Sequence, residues 1–383
     1  MNYQYLVEKY TYHKISGRYI TSEKIASFLS DLKDYFKVGV KGKSVEGRDI
    51  KTVTWGEGPT KIFMWSQMHG NESTTTKAVI DLLNLLNDEK ESFIADWKKR
   101  FTFLIVPILN PDGAHYYTRV NANQVDLNRD SINLTQPESQ LLRKLFEEFK
   151  PDYAFNLHDQ RTIFGVGDQP MPATISFLAP SYNEEREINA NREEAIKLIV
   201  AMNKEVQKVI PGQVGRFDDG FNINCIGDYF QNQGVPTILF EAGHYQNDYN
   251  REKTREIVFL SLLSVICSIF TKNYENNTIE SYLSIPENQK SFNDVAIGPV
   301  SLAGSKEAYI VKIQYLEQLK NNNVKFCPII VDIIKKESKF AHHYIKESIF
   351  FKNSLVKIED ALDKNYLELV DSGFSQDNGL LNK

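Results

Sequence analysis

The stretch KIFMWSQMHGNES, residues 61–73, sets the reading of the whole chain. Lys61 to Trp65 is an apolar run of strand length, and it gives way to His69, Asn71 and Glu72. Behind it, Ala78, Val79, Leu82, Leu83, Leu85 and Leu86 fall at helical spacing. His69 and Glu72 therefore stand three residues apart at a strand-to-helix junction. One reading is structural, a polar turn with Glu72 near a helix N-terminus, where the macrodipole favours a carboxylate. The other is a metal site. Spacing alone leaves both open.

The same alternation repeats outward. Residues 49–55 are extended, and 101–109 (FTFLIVPIL) form a nearly all-apolar strand, as expected where both sheet faces are covered. NPDG at 110–113 closes that strand with turn chemistry. Residues 137–149 place Leu141, Leu142, Leu145, Phe146 and Phe149 on one helical face before Pro151. Further strands are expected at 152–157 and 235–240, with helices at 183–209 and 257–270. A helix over 22–36 makes the first 40 residues largely helical, a segment packed on the main domain. Strands alternating with helices imply an α/β fold, a three-layer αβα sandwich about a mixed, mostly parallel sheet, over residues 1–275.

Beyond that point the texture changes. Residues 272–291 are polar and Asn-rich and read as a linker. Residues 290–383 read as a small C-terminal α+β domain, with strands at 308–313 and 324–334, a short helix at 314–319, and further structure from 348–362. His342 and His343 are adjacent, so their side chains diverge, and both are expected at the solvated surface.

With 383 residues, 42% apolar and 25% charged, the chain has the composition of a globular protein. A net charge of −5, without a basic cluster carrying interleaved aromatics, argues against a nucleic-acid partner. Lys98-Lys99-Arg100 suits the C-terminal turn of a helix instead. Cys225, Cys267 and Cys327 lie far apart; the odd, low count fits a reducing compartment and makes no zinc-ribbon pattern. Cys267, inside an apolar pattern, is expected to be buried and inert. The N-terminus lacks the pattern of a secretory signal, and the apolar run 257–269 is broken by serines and too short to span a bilayer. A cytoplasmic protein with no membrane partner is the expectation.

In an open α/β sheet, functional groups gather beyond the carboxyl ends of the strands. Three strands here end in polar groups: one leads to His69 and Glu72, one to His158-Asp159, one to Glu241. Any one alone is ordinary. Together they supply two histidines and a carboxylate, a standard set for a zinc ion with one open position, and Glu241 is a spare acid for proton transfer. No His-Glu-x-x-His pattern occurs, which excludes that helical class of zinc protease.

These residues resemble the zinc metallocarboxypeptidase family, whose signature is His-x-x-Glu followed distantly by a His. NPDG at 110–113, RVNANQVDLNRD at 119–130, NLHD at 156–159 and TILFEAG at 237–243 are similar to further family motifs, in family order. The resemblance implies one zinc ion per chain held by His69, Glu72 and His158, with Glu241 as general base. Arg119 would stabilise the oxyanion, and Asn128 and Arg129 would grip a terminal carboxylate, for which a planar guanidinium is suited. The implied activity is hydrolysis of a C-terminal peptide bond. Relatives that remove acyl groups from amino acids or trim murein peptides make a deacylase or amidase the alternative, so the implied partner is a peptide or acyl-amino-acid substrate. The gap from Glu72 to His158 is shorter than in digestive-type members. Where those place a mobile Tyr, residues 215–229 offer Phe217, Phe221 and Tyr229. Asp159 and His244 read equally as pocket groups or as local turn chemistry.

Overall fold

The computed structural model describes residues 1–302, 306–335, 340–345 and 349–351. It forms two compact units, residues 1–160 with 173–288, and residues 161–172 with 289 onward.

In the first unit, α1 (Tyr3–Tyr10) and α2 (Ser22–Ser30) precede β1 (Lys37–Lys43), β2 (Asp49–Gly56) and β3 (Thr60–Ser66). Then come α3 (Thr74–Leu86), α4 (Ser92–Arg100), β4 (Phe101–Val106), α5 (Pro111–Tyr116), α6 (Pro137–Phe149) and β5 (Tyr153–Asp159). The short β6 (Gly165–Val166) falls in the second unit. The chain continues through β7 (Ile175–Leu178), α7 (Ala190–Val206), β8 (Val214–Arg216), α8 (Ile226–Asn232), β9 (Thr237–Ala242), α9 (Glu252–Thr271) and α10 (Ile279–Leu283) to β10 (Asn288–Gln289).

Eight strands make one mixed sheet in the order β1-β2-β4-β3-β5-β9-β7-β8, with helices on both faces. Its centre, β4-β3-β5-β9, is parallel. Alternation along β3 shows why this strand is apolar throughout. Ile62 and Met64 enter the core that contains α3, α7 and α9, while Phe63 and Trp65 enter the opposite core with Leu142 and Phe146 of α6 and Phe230 of α8. The Phe146 and Phe230 rings stack at 3.8 Å. Each such side chain contributes about 1.5–3 kcal/mol by burial.

α3 is buried at 12 of its 13 residues, including Lys77 and Asp81. Arg255 of α9 meets Asp81 with two hydrogen bonds, 2.7 and 2.6 Å, and Lys77 donates to Glu252 at 2.6 Å. A helix apolar on nearly every side can carry these charges inward only as pairs. At 20 residues, α9 is long and apolar enough to cross a membrane by length and composition, but 78% of that stretch is buried within the protein. The helix begins five residues ahead of the expected 257 and ends one residue beyond 270.

Several boundaries differ from the sequence expectation. The first 40 residues hold two short helices and β1 rather than a mostly helical segment, because the second helix stops at Ser30, where the Asp31 N–H closes onto Ser27 and Phe28 carbonyls. The helix expected over 183–209 is α7 and begins only at Ala190, since Asn189 caps it by accepting from the Arg192 N–H at 2.9 Å. β5 and β9 each run further than expected, through Asp159 and Ala242, so that His158 and Glu241 are strand residues.

The second unit is a five-stranded sheet. β11 (Phe292–Leu302) pairs with β12 (Ala308–Lys320), β14 (Phe340–Ile345) and β15 (Ile349–Phe351), and β12 pairs with β13 (Asn323–Ile334). Among the described residues it contains strands and no helix. The stretch 314–319, expected as a helix, lies within β12. There it forms a hairpin with β13 whose two-residue turn, Asn321-Asn322, has φ of 52° and 60°, the geometry two-residue hairpins favour. Of the structure expected over 348–362, only Ile349–Phe351 lies within the described residues. His342 is buried rather than solvated: its Nε2 donates to the Thr162 carbonyl at 2.8 Å, and burial pushes its pKa down to about 4.

Candidate metal centre

The chain leaves β3 through Gln67, whose φ of 51° turns the backbone out of the strand direction. That costly conformation is secured by its side chain. Gln67 Nε2 donates to the Ile20 and Gly70 carbonyls, both at 2.8 Å, and its Oε1 accepts from Thr76 Oγ1 at 2.9 Å. Asn110 of the NPDG turn fixes the other side, donating from Nδ2 to the Met68 carbonyl at 3.1 Å while its Oδ1 accepts from the Gly113 N–H. Gly70 is required by close approach, since a Cβ there would lie 1.9 Å from the Gly113 carbonyl carbon.

Held this way, His69 and Glu72 meet His158 from the neighbouring β5. His69 Nδ1 lies 2.8 Å from Glu72 Oε1, His158 Nδ1 lies 2.8 Å from Glu72 Oε2, and the two Nδ1 atoms are 3.1 Å apart. All three side chains are buried, and they form a group able to hold a metal ion. The donor chemistry fits a cation. His69 Nε2 faces Asp126 Oδ1 at 2.9 Å, and a carboxylate only accepts, so the proton belongs on Nε2 and the Nδ1 lone pair points into the cluster. Three lone-pair donors thus converge where tetrahedral zinc, with bonds near 2.0–2.1 Å, would need donor atoms about 3.3 Å apart. The charges agree. Burial alone would raise the Glu72 carboxyl, but the two histidines outweigh it and hold it well below the usual range. For His69, burial opposes the charge while Glu72 and Asp126 favour it, and its pKa is raised; for His158 burial prevails and its pKa is lowered.

Residues 23–203 match the zinc carboxypeptidase family model. The matched stretch, just under half of the chain, is similar to that family. The family is zinc-dependent, in accord with the donor set just described. Carboxypeptidase 2 of Trichophyton tonsurans is 32% identical over 101 residues, which cover 26% of this chain and 19% of that protein. A zinc carboxypeptidase of Simulium vittatum is 32% identical over 105 residues, 26% of this chain and 34% of that one. The chain thus spans only about a fifth to a third of the length of these relatives. Among solved structures, a metallo-carboxypeptidase from Burkholderia cenocepacia superimposes with a TM-score of 0.54 at 22% identity, covering 66% of this chain and 70% of that one. Carboxypeptidase A from Helicoverpa armigera does so with a TM-score of 0.53 at 17% identity, covering 72% and 80%. These likenesses establish the fold.

The first unit brings some of the other expected residues to the cluster and leaves others beside it. Arg119 Nη1 reaches Glu72 Oε1 at 3.1 Å and its Nε reaches Asp126 Oδ2 at 3.1 Å, with half the side chain exposed. Glu241 lies directly across from His158 in the parallel β5–β9 register. Burial first, then the Glu72 and Asp159 carboxylates, push its pKa well above the ordinary value. Asn128 and Arg129 sit one step away, at the 126–130 turn. Asn128 Oδ1 accepts from the Ile226 N–H at 3.0 Å; Arg129 Nη1 donates to its neighbour's carbonyl at 2.7 Å and lies 3.1 Å from Cys225 Sγ. Neither touches the donor cluster among the described contacts.

Sequence reasoning missed Asp126, which receives three donors: His69 Nε2, Arg119 Nε and the Asn128 N–H at 2.9 Å. Its position two residues before Asn128, in DLNR, was the available signal. Asp159 was left open and is now placed: it accepts from the Thr74 and Thr75 N–H groups, capping α3 from another strand, and its own N–H donates to Glu72 Oε2 at 3.1 Å. His244 is buried with its ring 4.7 Å from Tyr249, and its carbonyl accepts from Thr174 Oγ1.

Proposed function

We propose that this domain is a zinc-dependent metallocarboxypeptidase that hydrolyses the C-terminal peptide bond of its substrate. The observation that carries this is the meeting of three donors, His69, Glu72 and His158, with Glu241 set across from His158 on the adjacent strand. A zinc ion bound by the three would bring the pKa of a water towards about 7 and polarise a carbonyl. The residues do the rest. Glu241, at the open end of the sheet and half-buried, accepts the proton of the attacking water and delivers it to the leaving amine. Arg119, fixed between Glu72 and Asp126, presents its exposed part to the charge that develops on the carbonyl oxygen. Arg129, with Asn128, holds the substrate's terminal carboxylate.

The test pairs zinc content with hydrolysis of an N-blocked dipeptide by wild type, His69→Ala and Glu241→Gln. Wild type is expected to hold one zinc and His69→Ala none. Glu241→Gln should keep its zinc while kcat falls about 10²–10⁴-fold. A wild-type protein that binds no zinc when it is supplied overturns the proposal. Turnover of N-acyl amino acids with inert peptides would move the substrate class to the deacylase alternative.

A further inference from the structure

Arg251 has no part in the chemistry proposed above, yet its guanidinium is 2% exposed. It sits just before α9 with a φ of 56°, a conformation that carries the long side chain inward from the loop after β9. Burying a cation there is unfavourable unless its N–H groups find acceptors. Nη1 donates to the Ala242 carbonyl at 2.7 Å and Nη2 to the Gln160 carbonyl at 2.5 Å, while Asp159 Oδ2 lies 3.4 Å away. Ala242 follows Glu241, and Gln160 is two residues past His158. The Gln160 N–H also donates to the Ala242 carbonyl at 2.8 Å, closing the β5–β9 ladder.

We infer that Arg251 and Asp159 are positioning residues that clamp the ends of β5 and β9 together, and so set the separation between the donor cluster and Glu241. The inference rests on the function proposed above. Asp159 extends the clamp to the third element: it holds the first two N–H groups of α3 and, through its own N–H, Glu72. One guanidinium and one carboxylate thereby join Glu72, His158 and Glu241. An Arg is needed because its planar fork spans two carbonyls at fixed spacing, whereas a Lys offers a single point.

The test uses Arg251→Lys and the isosteric Asp159→Asn in the full chain. For Arg251→Lys, amide exchange at Gln160 is expected to quicken at least about tenfold while amides of α7 are unchanged. kcat should fall about 10–100-fold with KM nearly constant, the size of effect seen when partners of metal-site groups are removed. Asp159→Asn is expected to weaken zinc affinity by about the same factor. Gln160 exchange and kcat within twofold of wild type in Arg251→Lys would overturn the inference, as would a kcat loss that follows thermal stability and disappears on cooling. A wild type without zinc refutes the function instead, and the exchange measurement still decides the clamp. If Arg251→Lys does not fold, Asp159→Asn decides it: zinc affinity within twofold of wild type would overturn the inference.

Discussion

Replacing Asp126 tests how far the donor cluster depends on a residue that need not touch the ion. Its Oδ1 accepts from both His69 Nε2 and the Asn128 N–H, and its Oδ2 from Arg119 Nε. Asp126→Ala removes all three acceptors, so His69 loses the bond that fixes its tautomer and ring orientation. Losses of this kind weaken metal binding about 10–100-fold, or about 1.4–2.7 kcal/mol. The Arg119 contact adds little to that figure, because its side chain is half exposed and screened. Asp126→Asn separates the parts. With its oxygen in the Oδ1 position the amide still serves His69 and Asn128, but its NH₂ then faces the Arg119 N–H groups and expels the guanidinium. Zinc affinity of Asp126→Asn should therefore fall between wild type and Asp126→Ala, while kcat falls in both. Competition against a chelator of known affinity at fixed pH measures this directly. If Asp126→Ala bound zinc within twofold of wild type, Asp126 would not be what orients His69 towards the ion, and the reasoning would fail.

Other perturbations probe the frame. Gly70→Ala forces a methyl against the Gly113 backbone, and the two loops must part; a loss of about 1–3 kcal/mol by thermal denaturation is expected, together with weaker zinc binding. Asp81→Ala leaves the buried Arg255 guanidinium without its two-bonded carboxylate and with Glu252 alone, at 3.1 Å, which should cost about 3 kcal/mol in urea unfolding of the first unit. Asp228 is buried at the start of α8, its carboxylate accepting from the Asn222 N–H, and burial pushes its pKa up to about 7. The native state then binds a proton between about pH 4 and 7 that the unfolded chain has released, so stability falls as pH rises through that window. Asp228→Asn keeps the acceptor and removes the titration. Its Tm should vary less with pH between 4 and 7, and at pH 8 it should exceed wild type in stability by up to about 4 kcal/mol.

The parts of the site that local pattern encodes were visible in the sequence. His69 and Glu72 share one loop, and the runs ahead of His158 and Glu241 are apolar enough to read as strands whose ends meet. What escaped depends on partners distant in the chain. Asp159 caps α3 from 85 residues away, so nothing near Thr74 announces how that helix begins. Arg251 looks like one of several charged residues before a helix until its carbonyl partners at 160 and 242 are known. The helix expected at 314–319 failed for a related reason: a six-residue window does not show that Asn321-Asn322 folds it back on β13. His342 was misplaced because the carbonyl that buries it belongs to Thr162.

The family match begins at residue 23, but the loop that bears His69 and Glu72 leans on what comes before it. Gln67 donates to the Ile20 carbonyl, and Ser73 Oγ donates to the Arg18 carbonyl. Upstream, Arg255 holds the Tyr12 and Ile15 carbonyls and Asp81 accepts from the Tyr12 N–H, tying the same segment to α3 and α9. A fragment trimmed to the family boundary would keep every proposed ligand and lose the wall behind them. The first twenty residues behave as a keystone laid early in the sequence and seated late in the structure, and any shortened version intended for enzymology should begin ahead of them.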